Sequence, residues 1–161
     1  RINKMLLQTK QQLKDEISRV KKEGKTVTMA AGCFDMLHAG HVAYLEAASK
    51  LGDVLVVSIN SDESVSKIKG PERPVVNQKY RARMLTSLRC VDFVYIFNEP
   101  NLLNTFPLIY PHFLTKGSDY NVENINKEEK AWLDENKVKV IYIRHDCTDI
   151  STTKLVQKIR R

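Results

Sequence analysis

Neither a GxGxxG turn nor a GxxxxGK[ST] loop occurs in these 161 residues, which excludes the usual dinucleotide fingerprint and the phosphate-loop NTPases. A GxSxG elbow is missing too, and no His/Cys group has the spacing of a zinc site. Cysteine is scarce. Cys33, Cys90 and Cys147 are odd in number and far apart, so they are read as small buried fillers in a reducing compartment, not as a disulfide framework. No apolar run reaches membrane-spanning length, since Val54 to Ile59 is only strand-sized, and no signal peptide opens the chain. No membrane insertion and a cytoplasmic location are expected. Aromatic residues make up only 7%, too few to interleave with the basic ones on a nucleic-acid surface, so no nucleic-acid partner is expected despite a net charge of +7.

What is present is ordinary globular composition, 42% hydrophobic, of a length suited to a single domain over 1–161. The basic balance favours an acidic partner such as a nucleotide. A start at Arg1 suggests a piece excised from a longer polypeptide. Met5, Leu6, Leu13, Ile17 and Val20 mark a leading amphipathic helix within 1–24, stopped at Glu23-Gly24. Apolar strands at 26–31, 53–59, 92–97, 112–116 and 138–143 then alternate with helices at 40–50, 78–88, 102–109 and 127–135 and a last one from Ser151. The expected fold class is therefore α/β, a five-stranded parallel sheet with helices on both faces. The loop Lys67-Ile68-Lys69-Gly70-Pro71-Glu72-Arg73-Pro74 is rich in Gly, Pro and charge and reads as a mobile surface loop.

Ligands of such a sheet sit beyond the carboxyl ends of its strands. Three segments fall there. Gly32-Cys33-Phe34-Asp35, running on to His38-Ala39-Gly40-His41, follows the first of these strands, and its imidazoles stand at a helix N-terminus, where free N–H groups and the helix dipole draw anions. Lys116-Gly117-Ser118-Asp119-Tyr120 follows the fourth strand, with a glycine that lets a ligand approach the backbone. Asp149-Ile150-Ser151-Thr152-Thr153-Lys154 follows the fifth, its hydroxyls forming either a helix cap or an anion cradle. Taken singly, the histidines could be surface decoration and Arg81 a solvated helix residue; their convergence is the signal.

These residues, together with Leu51-Gly52-Asp53, Asn60-Ser61-Asp62, Lys69-Gly70-Pro71, Arg73-Pro74, Arg81 and Val91-Asp92, resemble the nucleotidyltransferases with an HxGH motif, whose sheet is of Rossmann type. Within that family the chain is most similar to the bacterial D-glycero-beta-D-manno-heptose 1-phosphate adenylyltransferases, in which a sugar kinase is often fused to this half. The resemblance implies that heptose 1-phosphate and ATP give ADP-heptose and pyrophosphate, for lipopolysaccharide or another surface glycan. Implied with it are Mg2+ as cofactor, ATP or another NTP and a sugar 1-phosphate as partners, a homo-oligomer, and a fused or separate sugar kinase.

By that resemblance His38 and His41 are the catalytic donors to the phosphates, with Lys69 and Arg81 as further catalytic cations and Arg73 as a contact to the sugar phosphate. Gly32, Cys33, Phe34, Asp35 and Gly40 floor the nucleotide. Lys116, Gly117 and Asp119 border base and ribose, and Ser151, Thr152 and Thr153 cradle the outer phosphates. Asp35 is the nearest carboxylate for the metal. A cytidylyltransferase acting on glycerol phosphate is the alternative. The arginine that such enzymes carry before Ile-Ser-Thr-Thr is replaced here within Asp146-Cys147-Thr148-Asp149.

Overall fold

The computed structural model describes residues 5–117, 125–147 and 149–159; Ser118, Asp119, Tyr120 and Thr148 of the predicted segments lie outside them. Six parallel strands form one sheet: β1 (Met5–Leu7), β2 (Val27–Gly32), β3 (Val54–Asn60), β4 (Phe93–Phe97), β5 (Phe113–Lys116) and β6 (Lys139–Tyr142). The helices are α1 (Lys10–Lys22), α2 (Ala39–Ser49), α3 (Asp62–Lys69), α4 (Gln78–Ser87), α5 (Phe106–Ile109), α6 (Lys127–Glu135) and α7 (Thr152–Ile159).

The expected five strands are corrected to six, because the leading segment is not all helix. Met5, Leu6 and Leu7 pair with Phe93, Val94 and Tyr95 and extend one edge of the sheet. The helix starts only after Thr9, whose hydroxyl accepts from the Gln12 N–H while the Gln12 side chain accepts from the Thr9 N–H. That reciprocal cap fixes the boundary, and three adjacent apolar residues ahead of it suit a strand better than a 3.6-residue period. At the other end of α1, Gly24 takes φ 75, the left-handed turn expected of the stop.

Strand alternation divides the core into two layers. Val54 and Val56 of β3 join Val27, Met29, Phe93 and Leu114 beneath α1, α5 and α6, whereas Leu55, Val57 and Ile59 join Ala30 and Val94 beneath α2 and α4. Two predicted family motifs stand at the amino ends of the strands and are structural. Asp53 accepts from the Thr26 N–H and hydroxyl, and Asp92 accepts from the Leu55 N–H. Gly52 leaves no room for a side chain there, since a Cβ would sit 2.8 Å from the Thr28 hydroxyl.

Strand order is β1-β4-β3-β2-β5-β6. The chain moves outward from β2 through β3 to β4, then returns to place β5 on the other side of β2. The order reverses between β2 and β5, so the crevice opens above Gly32 and Lys116.

Candidate active site

A cleft of about 490 Å³ occupies that crevice. Its wall brings together segments more than a hundred residues apart: Gly32, Cys33, Phe34, Asp35, His38, Gly40 and His41 after β2, Lys69 and Arg73 after β3, Lys116 and Gly117 after β5, and Ser151, Thr152 and Thr153 at the start of α7. Asp119 lies outside the described residues.

Between β2 and α2 the backbone turns sharply, with Phe34 at φ 48 and Met36 at φ 50. His38 then stands at the N-cap of α2 in extended conformation, and His41 lies one turn in. Their rings stack with centroids 3.8 Å apart. Gly40 is required by this approach, since a Cβ would meet the His38 ring at 3.1 Å and the Cys147 carbonyl at 3.2 Å. The Phe34 ring sits 5.3 Å from that of His41, and Tyr44 behind it donates its hydroxyl to the Thr115 carbonyl.

The histidine tautomer follows from one hydrogen bond. The His38 N–H donates to His41 Nδ1 at 3.3 Å, so a neutral His41 carries its proton on Nε2. Burial, and after it the neighbouring His38, push the His41 pKa down to about 4. Burial also lowers that of His38, with His145 adding to the effect. Both rings thus meet a ligand as neutral hydrogen-bonding groups at neutral pH.

Asp35, the carboxylate expected nearest the metal, is already engaged by protein donors. Its carboxylate accepts from the N–H of Val75 and of Val76, each at 2.9 Å, and from Arg73 Nε at 2.7 Å, with the side chain 1% exposed. Burial alone would raise its pKa, but those three donors hold the carboxyl below its ordinary range. Among the described residues no group of His, Cys, Asp or Glu is arranged to hold a metal ion.

Arg81 is likewise corrected. The expected catalytic cation is fully buried, donating to the Val76 and Cys33 carbonyls and to Asp62. It is a strut joining three segments behind the cleft and has no face for a substrate. The 67–74 loop differs as well, since Lys67, Ile68 and Lys69 close α3 as helix and the far end is pinned to Asp35. Lys69 lines the cleft from the last residue of α3, and Arg73 lines it while tied through Nε, which leaves both Nη groups for other partners.

Across the crevice, Thr152 donates its hydroxyl to the Asp35 carbonyl at 2.6 Å and docks α7 on the histidine loop. Ser151 caps the helix, accepting from the Lys154 N–H. Lys116 is half-buried, and burial lowers its pKa against the opposing charge of Glu129. Two of the three cysteines are not core fillers: Cys33 and Cys147 line the cleft, and burial raises the Cys33 thiol above its usual range despite nearby Lys69. Asn60, Ile68, Cys147 and Ile150, named from sequence within longer segments but given no binding role, also line it, and so do Tyr44 and His145, which the sequence reading did not name. His145 stands just past the carboxyl end of β6, the position that marked the other segments.

A parallel sheet whose cleft joins a histidine-bearing helix start to a hydroxyl-bearing one offers the donors that an anion such as a nucleotide's phosphates requires. The chain belongs to the cytidylyltransferase-like family, whose profile matches residues 29–158, and it is a nucleotidyltransferase. It is 40% identical over 149 residues to the bifunctional protein HldE of Haemophilus influenzae strain PittGG, covering 92% of this chain and 31% of that one. With HldE of Campylobacter fetus subsp. fetus strain 82-40 it shares 45% identity over 147 residues, 91% of this chain and 30% of the relative. The chain thus spans about a third of the length of these curated relatives.

Among solved structures, the lipopolysaccharide core biosynthesis protein from Thermoplasma volcanium GSS1 superposes with TM-score 0.63 at 29% identity, over 75% of this chain and 98% of that one. A pantoate-beta-alanine ligase from Francisella tularensis shares the fold alone, with TM-score 0.66 at 14% identity over 98% and 77% of the two chains. No helix among the described residues is long and apolar enough to cross a membrane.

Proposed function

We propose that this nucleotidyltransferase moves AMP from ATP to heptose 1-phosphate, releasing pyrophosphate and giving an ADP-heptose for lipopolysaccharide synthesis. The observation that carries it is the single cleft joining His38 and His41 to Ser151, Thr152 and Thr153. The likeness to HldE supports the sugar, and a kinase, fused or separate, would supply its 1-phosphate.

A phosphate oxygen of the sugar attacks the α-phosphorus in line; the new P–O bond forms as the bond to the bridging β-oxygen breaks, and pyrophosphate leaves with the electron pair. The attacking oxygen is already anionic, so no general base is needed and catalysis reduces to placement and charge stabilisation. Neutral His41 donates from Nε2 to the α-phosphoryl oxygen as negative charge grows there, and His38 donates beside it. Lys69 and the free Nη groups of Arg73 face the acceptor phosphate and the triphosphate. The N–H groups at the start of α7, with Ser151 and Thr153, hold the outer phosphates. Gly32, Phe34 and Gly40 floor the nucleotide beside Lys116 and Gly117. A divalent ion such as Mg2+ would be held mainly by the triphosphate itself and would supply charge neutralisation there, since the Asp35 carboxylate is already engaged by Arg73, Val75 and Val76.

Pyrophosphate release measured with ATP, CTP, GTP and UTP against heptose 1-phosphate, other sugar 1-phosphates and glycerol 3-phosphate tests the reading. Turnover is expected with ATP and heptose 1-phosphate. Turnover restricted to CTP and glycerol 3-phosphate would replace it with the cytidylyl reaction.

A further inference from the structure

The connection from β6 to α7 brings a third imidazole to the cleft, one that the mechanism above leaves unused. His145 lines the cleft beside His38 and His41. Its Nδ1 is sealed from solvent and meets no hydrogen-bond partner among the described residues, and the same is true of His38 Nδ1. A nitrogen closed off in this way is out of a ligand's reach, so the ring meets the cleft through Nε2, which is not sealed.

The path of the connection indicates which part of the ligand. The Cys147 carbonyl lies 3.2 Å from where a Cβ on Gly40 would be, so the connection leans on the first turn of α2. Five residues further on, Thr152 docks on the Asp35 carbonyl and α7 begins. His145 thus belongs to the strand of chain that bridges the two helix starts. His145 and His38 are also near enough that a charge on one opposes a charge on the other. A triphosphate reaching from the start of α2 to the start of α7 passes this ring.

We propose that His145 is a ligand of the pyrophosphate half of the nucleotide, donating from Nε2 to a β- or γ-phosphate oxygen. The contact rests on the nucleotidyl-transfer reading above. It is a hydrogen bond to an anion, of the kind whose removal weakens binding by about tenfold or more.

Calorimetric titration with pyrophosphate, ATP and AMP tests it on the wild-type chain and on three variants. His145→Ala is expected to bind pyrophosphate and ATP about tenfold or more weakly and AMP unchanged. His145→Gln sets an amide nitrogen near the place of Nε2 and should recover most of the loss; His145→Asn, which reaches only toward Nδ1, should not. Unaltered pyrophosphate binding by His145→Ala, an equal loss for AMP, or rescue by Asn in place of Gln would overturn the contact. Should His145→Ala fail to fold, the Asn and Gln pair decides by the same criterion. A wild-type chain that binds pyrophosphate and ATP while His145→Ala binds them equally well leaves the reaction standing and removes only this contact. One that binds neither removes both.

Discussion

Two histidines with the same side chain do different work because their backbones differ. His38 caps α2, whereas His41 receives the His38 N–H on Nδ1 and must donate from Nε2. Removing either donor should lower turnover on the order of 100-fold while the fold persists; steady-state kinetics of His38→Ala and His41→Ala check this, and normal rates in both would refute the assignment. For His41, a Gln amide reaches the Nε2 position and an Asn amide does not, so His41→Gln should keep more activity than His41→Asn. Acid sensitivity follows from the same ring. The folded chain holds His41 near pKa 4, below the ordinary 6.5, so the unfolded chain takes up a proton that the folded one refuses. Stability from this group is complete above pH 6.5 and falls as pH drops toward 4, with His38, also lowered, adding in the same direction below 6.5. Asp35 contributes in the same direction lower down, its stabilisation lost as pH falls below the ordinary aspartate range. Melting temperatures from pH 7 to 4 should fall less steeply in His41→Gln than in wild type.

Between elements, the decisive contacts are those that bring distant loops to one place. Arg81 ties α4 to the histidine loop and to α3, and truncating it leaves the part-buried Cys33 and Val76 carbonyls without their donor. Asp62, 39% exposed at its side chain, is left facing water, and each carbonyl left without its donor costs about 1–3 kcal/mol. Arg81→Met is therefore expected to fail first in stability, seen as an early urea midpoint; a fully stable but inactive Arg81→Met would restore Arg81 as a substrate contact. The edge strand makes a second test. Leu7 is 1% exposed on β1, so Leu7→Ala should lower stability by about 2–5 kcal/mol in the same titration, whereas an exposed residue of a frayed leader would change it little. The sequence pattern missed β1 because three residues are too few to display a period, and the Thr9 cap, which was readable, fixes only where the helix begins.

For the molecule as a whole, ligand binding should be visible as stability. A nucleotide that binds only the folded chain at a hundred times its Kd adds about 2.7 kcal/mol, so ATP and pyrophosphate should raise the melting temperature and a nucleoside without phosphates should not. An equal rise with the nucleoside would move the main recognition away from the phosphates. The sheet order makes this cleft possible, since β2 is central and its neighbours β3 and β5 come from opposite directions of the chain's path.

Strand and helix periodicity, the glycine turn after β2 and the hydroxyl run before α7 are local patterns, and local patterns are legible in residue order; they already implied a parallel α/β sheet and an anion site. Who touches whom across the cleft was not legible. Asp35 and Arg81 carry the residue types of a metal ligand and a catalytic cation, yet burial binds one to Arg73, Val75 and Val76 and the other to Cys33, Val76 and Asp62. Charge type is written in the sequence, but the partners that use it up, all but Val76 on Arg81 lying 19 to 48 positions away, are chosen by packing between elements, which no local pattern records.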